Sequence, residues 1–271
     1  MKTISNSPKM NGWGRNKLRR RSRCEEVAEL MENGNYRILY QFWFDKKNKK
    51  ELVIDIDSKT MTMAVPKIAD HPSWARLEHC QCLCCTLKKE KQPYCPIAIN
   101  IVNIVETFKD KISYEKCLVR CITPERSYQK KTALMVGLSS LLGLIMATSG
   151  CPMMTLFKPM ARFHLPFATV EETIVRATSM YLLGEYFAYR RNQRPDLELK
   201  KLCGHYETIK ILNAGMLARI RDASPKDSDK NAIVTLHSIS DMLSMEIGTS
   251  LQSVEYLFNA NAIFECKGAI R

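Results

Sequence analysis

Between Lys131 and Lys158 the chain runs for 26 positions, Thr132 to Phe157, without one charged side chain. No other segment constrains the fold as much, because so long an apolar stretch must be covered on every side by lipid or by the rest of the protein. Leu134, Leu138, Leu141, Leu142, Ile145 and Met146 recur at helical spacing, and Ser149-Gly150-Cys151-Pro152 supplies a stop. A helix of about 17 residues results, at the lower limit of a membrane span. Gly137, Ser139, Ser140 and Gly143 permit close backbone approach in lipid and in a soluble core alike. We read the segment as a central buried helix, with a membrane span over 132–157 as the alternative.

Upstream the hydrophobic period changes to two. Ile38, Tyr40, Phe42 and Phe44 alternate with Leu39, Gln41 and Trp43, then Leu52, Ile54 and Ile56 share a face, then Met61, Met63 and Val65. Polar turns at 45–50 and 57–59 separate them, so a three-stranded antiparallel meander is expected, closed by Pro66. Trp74 to His79 reads as a fourth extended piece and Tyr114 to Thr123 as a further strand. On the latter Cys117, Val119 and Cys121 face one way, which makes both cysteines small apolar residues rather than ligands. Pro96 suits a first helical turn, with Ile97, Ile101, Ile104, Val105 and Phe108 behind it.

Three long helices are expected after position 168. Thr169-Val-Glu-Glu172 has the capping-box form and opens a helix to about Arg191. Leu202, Tyr206, Ile209, Met216 and Ile220 stripe a second, broken at Ala223-Ser224-Pro225. A third starts near Ser228, with a coda over 251–258. The class is α+β: an N-terminal antiparallel β-meander packed on a C-terminal helical bundle. The divisions are a basic, disordered arm over 1–34 leading into a short helix, a β-rich part over 35–130, and a helical bundle over 131–271, the last two forming one domain.

Of the net charge of +13, eight units come from Lys2, Lys9, Arg15, Lys17, Arg19, Arg20, Arg21 and Arg23, with no acid before Glu25. Such an arm can neutralise phosphates, so nucleic-acid binding through residues 1–23 stands as a minor reading. The remainder has an ordinary charge balance. Walker, dinucleotide, HExxH and EF-hand patterns are missing from the sequence, which leaves nucleotide and calcium use without support.

The chemistry-bearing residues cluster elsewhere. His79-Cys80-Gln81-Cys82-Leu83-Cys84-Cys85 packs four cysteines and a histidine into seven positions, and Cys95 follows before Pro96. Eleven cysteines, an odd number, rule out a complete set of intramolecular disulfides and fit reduced thiols in a cytoplasm. Cys82 and Cys85 form a CxxC pair whose sulfurs can reach one ion. Cys95 can fold back as a third ligand from a helix entrance. The fourth is Cys151, His79 or His164. Zinc ranks ahead of an iron–sulfur cluster, and a metal-free set of reduced core thiols is the plain alternative. Cys151 near His164 also permits a thiol-dependent or hydrolytic enzyme, although no family signature surrounds them. No catalytic residue is assigned.

His79 to Cys85, Tyr94-Cys95-Pro96, the run Gly137 to Pro152 and Pro159 to Phe167 resemble a family of uncharacterised bacterial proteins known only as a domain of unknown function. The resemblance covers roughly residues 35 to 260. It implies that Cys82, Cys85, Cys95 and Cys151 are the recurring sulfurs, and it implies no activity. A structural site supporting a surface for a protein partner is the function expected from the whole.

Overall fold

The computed structural model describes residues 35–64, 70–223, 226–249 and 251–258. The readings made for the arm, residues 1–23 and 1–34, lie outside the described residues, as does the stop at Pro66. The fold is α+β, with a five-stranded antiparallel sheet and seven α-helices among the described residues.

The strands are β1 (Asn35–Trp43), β2 (Lys49–Asp57), β3 (Thr62–Met63), β4 (Lys116–Ile122) and β5 (Ser127–Ala133), in the order β3-β2-β1-β4-β5. The meander β1-β2-β3 is present as the alternation required, and the β4-β5 hairpin extends it by pairing β4 with β1. One face is apolar: Ile38, Tyr40, Phe42, Ile54, Ile56, Cys117, Val119 and Cys121 are buried. The other carries polar pairs such as Arg37–Asp55 at 2.9 Å and Gln41–Glu51 at 2.6 Å. Cys117 and Cys121 therefore belong to the sheet's core face.

Two helices cover that face. α1 (Pro96–Phe108) lays Ile97, Ile101, Ile104, Val105 and Phe108 into the core, with the Phe108 ring edge-on to Phe42 at 4.9 Å. α2 (Leu134–Thr148) is the uncharged helix, and Leu134, Leu138, Leu141, Leu142 and Ile145 are all at most 1% exposed. It reaches the sheet at Gly137, where a Cβ would stand 2.8 Å from both Phe42 and Val119. Only a glycine lets the backbone approach this closely.

A 3₁₀ helix (Pro152–Phe157) and the short α3 (Lys158–Arg162) lead to α4 (Val170–Arg190), α5 (Lys200–Ala223), α6 (Ser228–Gly248) and α7 (Gln252–Glu255). The capping box at α4 is formed in full, Glu172 N–H donating to Thr169 Oγ1 and Thr169 N–H to the Glu172 carboxylate. α6 packs on both α2 and α5, which joins the bundle to the sheet's core. No single helix among the described residues is long and apolar enough to cross a membrane, and α2 and the segment Pro152–Arg162 are bent by 113° at their junction.

Two expectations are corrected. Trp74 to His79 is not a strand: a 3₁₀ turn spans Ser73–Ala75, followed by a single bridge between Arg76 and Tyr94. The carbonyls of Trp74, Arg76 and Leu77 are taken by the side chain of Arg219, so this backbone has no need of a neighbouring strand. Among the described residues the third strand spans only Thr62–Met63, and Val65 lies outside them. Residues 127–133, unread in the sequence, form β5, whose Gln129, Lys130 and Lys131 are exposed; an edge strand of this kind shows no apolar alternation.

Candidate metal centre

The segment 71–95 lies along one side of α5. Its ends are held together by Leu77 N–H to Pro93 O and Cys95 N–H to Ala75 O, both 2.9 Å, so residues 78–92 form a closed loop that contains the cysteine cluster. α5 meets this segment with a stripe at helical spacing: Thr208, Leu212, Gly215, Arg219 and Asp222. Cys84 Sγ lies 3.8 Å from Thr208 O, and Cys82 Sγ lies 3.8 Å from Leu212 O. A Cβ on Gly215 would stand 2.7 Å from Cys82 Sγ. His79 Nε2 ends the stripe at Asp222 Oδ2, 2.9 Å away.

Within the loop, Cys85 N–H donates to Cys82 O at 2.9 Å, which makes the CxxC a tight turn. Cys95 and Cys151 occupy matching positions on other elements. Each is the N-cap of a helical segment with proline next, at φ −68°, ψ 122° and φ −65°, ψ 125° respectively, and each is buried. Free amides and the helix dipole at such an end favour an anion.

The sulfurs act on one another. Burial pushes the Cys82 thiol up to about 12, the charges of Cys95, Cys84 and Cys85 add to the rise, and Arg219 opposes it. Burial likewise pushes Cys151 up to about 11; Cys95 and Cys85 raise it further, while the amides of Met153 and Met154 pull it down. Cys95 and Cys85 thus act on both Cys82 and Cys151, and the four come from a loop, a helix entrance and a helix exit. Their sulfurs stand further apart than ligands closed on an ion. Among the described residues the one set of three potential ligand atoms within 4.8 Å of one another is His79, Cys80 and Asp222, at the loop's outer edge.

Arg219 is the cation of the site. Only 1% exposed, it donates from Nη1 to Trp74 O (2.8 Å) and Arg76 O (2.6 Å) and from Nη2 to Leu77 O (2.7 Å), while its Nε finds no acceptor. Among the described residues it has no carboxylate partner. A buried guanidinium without an anion is costly, and the group whose ionisation it favours here is the Cys82 thiol.

His164 is elsewhere. Its Nε2 lies 2.6 Å from Tyr40 Oη, and burial, with Arg176 nearby, pushes it down to about 3, so it is a neutral imidazole. Neither a hydrogen bond nor a charge effect links it to Cys151. His79 is engaged by Asp222. Sequence reasoning singled out the four sulfurs as candidate ligands and passed over Arg219 and Gly215. The signal for these was the helical spacing 208, 212, 215, 219, which puts a glycine and an arginine on a stripe that also has to be covered.

A family model for a domain of unknown function, DUF6901, matches residues 38–259. The chain belongs to that family. The DUF6901 match spans the cysteine loop, both Cys-Pro caps and the α5 stripe. No curated protein and no solved structure matches the chain.

Proposed function

We propose that this protein is a metal-binding scaffold in which Cys82, Cys85, Cys95 and Cys151 close as thiolates on one centre, with zinc ahead of an iron–sulfur cluster. The observation that carries the reading is that Cys82 and Cys151, far apart in sequence, each lie in the field of both Cys95 and Cys85. Arg219 supports it. Four thiolates around a divalent ion leave two negative charges, and a buried guanidinium beside Cys82 offsets part of that excess. Binding would draw the sulfurs inward to about 2.3 Å from the ion.

A centre with four protein ligands has no open position, so its role is structural. It ties the 78–92 loop and α1 to the turn after α2, next to α5. Reduced thiols in a cytoplasm belong to the same proposal. The surface it would support is the outer face of α4, where Leu183, Tyr186, Phe187 and Tyr189 are exposed, suited to a protein partner. A nucleophilic role for Cys151 is disfavoured, because burial raises its pKa and no histidine acts on it.

The test is metal analysis and visible spectroscopy of the full chain purified without oxygen. The expected result is close to one equivalent of zinc and a colourless protein. Iron with visible absorption would instead assign the cluster, and less than half an equivalent of either metal overturns the reading.

A further inference from the structure

A cavity of about 220 Å³ lies between α2, α4, α5 and α6, away from the cysteines. Its volume matches about seven water molecules at about 30 Å³ each. The walls are largely apolar, with Met154, Met160, Phe157 and Tyr206 offering sulfur and ring surfaces that favour an aromatic guest.

Two polar groups in the same wall have hydrogen-bonding capacity to spare. Asn213 is 1% exposed; its Nδ2 reaches Ser240 Oγ only at 3.5 Å, and its Oδ1 accepts no hydrogen bond. A buried amide oxygen left without a donor is destabilising by about 1–3 kcal/mol. Arg176 donates from Nη2 to the carbonyls of Met160 (3.1 Å) and Phe163 (2.9 Å). Among the described residues it has no ion pair within 4 Å, the Glu172 carboxylate acts on it only through charge, and Nε and Nη1 make no hydrogen bond. Arg176 also borders a second depression lined by Tyr128, Arg126, Arg162 and Glu125, where Glu125 pairs with Arg162 at 3.2 Å, so it stands where the apolar chamber meets an entrance with more cations than carboxylates.

We propose that this chamber binds a small aryl carboxylic acid bearing a hydroxyl at its far end, the carboxylate meeting Arg176 and the hydroxyl donating to Asn213 Oδ1. The free edge of one guanidinium suits a single carboxylate, with two parallel N–H donors for its two oxygens. Asn213 requires a donor, which an unsubstituted ring or an alkyl chain does not supply. The basic entrance draws a monoanion towards the chamber.

Titration calorimetry on the full chain as purified tests this, using 3-(4-hydroxyphenyl)propionate as probe. Saturable binding is expected. The deoxy analogue 3-phenylpropionate should bind about tenfold more weakly, for one lost hydrogen bond, and the methyl ester of the hydroxy acid weaker by tenfold or more, for one lost charge-assisted pair. Asn213→Leu should abolish the preference between the two acids, and Arg176→Met should remove the preference for acid over ester. The ester comparison on the unmodified protein carries the test even where Arg176→Met does not fold. No saturable binding of either acid at millimolar concentration, or equal affinity for acid and ester, overturns the proposal.

Discussion

Gly215 has no side chain at the point where Cys82 places its sulfur: a Cβ there would stand 2.7 Å from Sγ and 3.4 Å from the Cys82 Cα. Glycine in the middle of a 24-residue helix costs about 1 kcal/mol relative to alanine, so its presence in α5 needs a packing reason. Cys82 supplies one. Gly204, on the same helix, has nothing within 4 Å of an added Cβ and serves as a control. Gly204→Ala is expected to stabilise the protein by up to about 1 kcal/mol. Gly215→Ala is expected to destabilise it by about 1–2 kcal/mol, since overpacking outweighs the gain in helix propensity. It should also speed the loss of zinc to a chelator. Chemical denaturation of the two variants side by side decides the matter, and stabilisation by both would remove Cys82 as the reason for Gly215.

Arg219 holds three backbone carbonyls of the 74–77 segment and sits in the field of Cys82. Arg219→Met keeps the bulk and removes both the donors and the charge. Three acceptors then lose their partner, with an expected cost of about 3–5 kcal/mol. Arg219→Lys keeps the charge but cannot fork across three carbonyls, so it should recover zinc affinity more fully than stability. Metal content and denaturation midpoint, measured on both variants, separate the electrostatic role from the structural one.

The elements with a strong period were legible in the sequence, and those held by a single distant side chain were not. β1 and β2 alternate because one face is buried, and Thr169 with Glu172 announced α4 through hydrogen bonds that are local. α2 was legible because a stretch with no charge has few places to go. By contrast, Trp74 to His79 has the composition of a strand, yet Arg219, more than 140 positions later, satisfies its carbonyls and leaves it a turn. β5 was unread because Lys130 and Lys131 face solvent at the sheet's edge. The sulfurs were legible as residue types at suggestive spacings; which of them meet depends on how the 78–92 loop crosses α5, and no local pattern carries that.

Cys117 and Cys121 test the choice of ligands from the other side. Both are buried on the sheet's core face, pushed up to about 11 and about 12 chiefly by burial, with Cys121 beside Tyr40. Cys117→Ala should lower stability by about 1 kcal/mol for the lost burial and leave the zinc content at its unmodified value. Cys95→Ser and Cys151→Ser should each lower zinc content. Equal zinc loss from Cys117→Ala and Cys95→Ser would mean that metal retention tracks folding rather than ligation.

His164 makes stability depend on mild acid. Its folded pKa of about 3 lies below the ordinary value of 6.5, so between those limits the unfolded chain binds the proton and the folded protein does not. Stability from this group is complete above about pH 6.5 and declines as pH falls towards 3, by at most about 1.4 kcal/mol per pH unit. His164→Gln keeps a polar group beside Tyr40 and cannot take up the proton. Its unfolding free energy should fall less steeply than that of the unmodified protein between pH 6.5 and 4.5. Parallel pH profiles would mean that His164 takes up its proton in the folded protein as readily as in the unfolded chain.

Zinc-loaded and zinc-free protein should respond to pH in opposite directions. Without metal, Cys82 and Cys151 have folded pKa values of about 12 and about 11, above the ordinary value of 9. The folded protein then holds protons that the unfolded chain releases, so stability is complete below pH 9 and falls as pH rises through 9 towards 11. With zinc the thiolates are held by the ion, and each proton that returns competes with it. Loaded protein should therefore withstand alkali and lose stability as pH drops below neutrality, in step with zinc release. Thermal unfolding from pH 5 to pH 10, with and without a chelator, should give curves that converge at low pH and separate at high pH. Superimposable curves across the whole range would mean that the four sulfurs hold no ion.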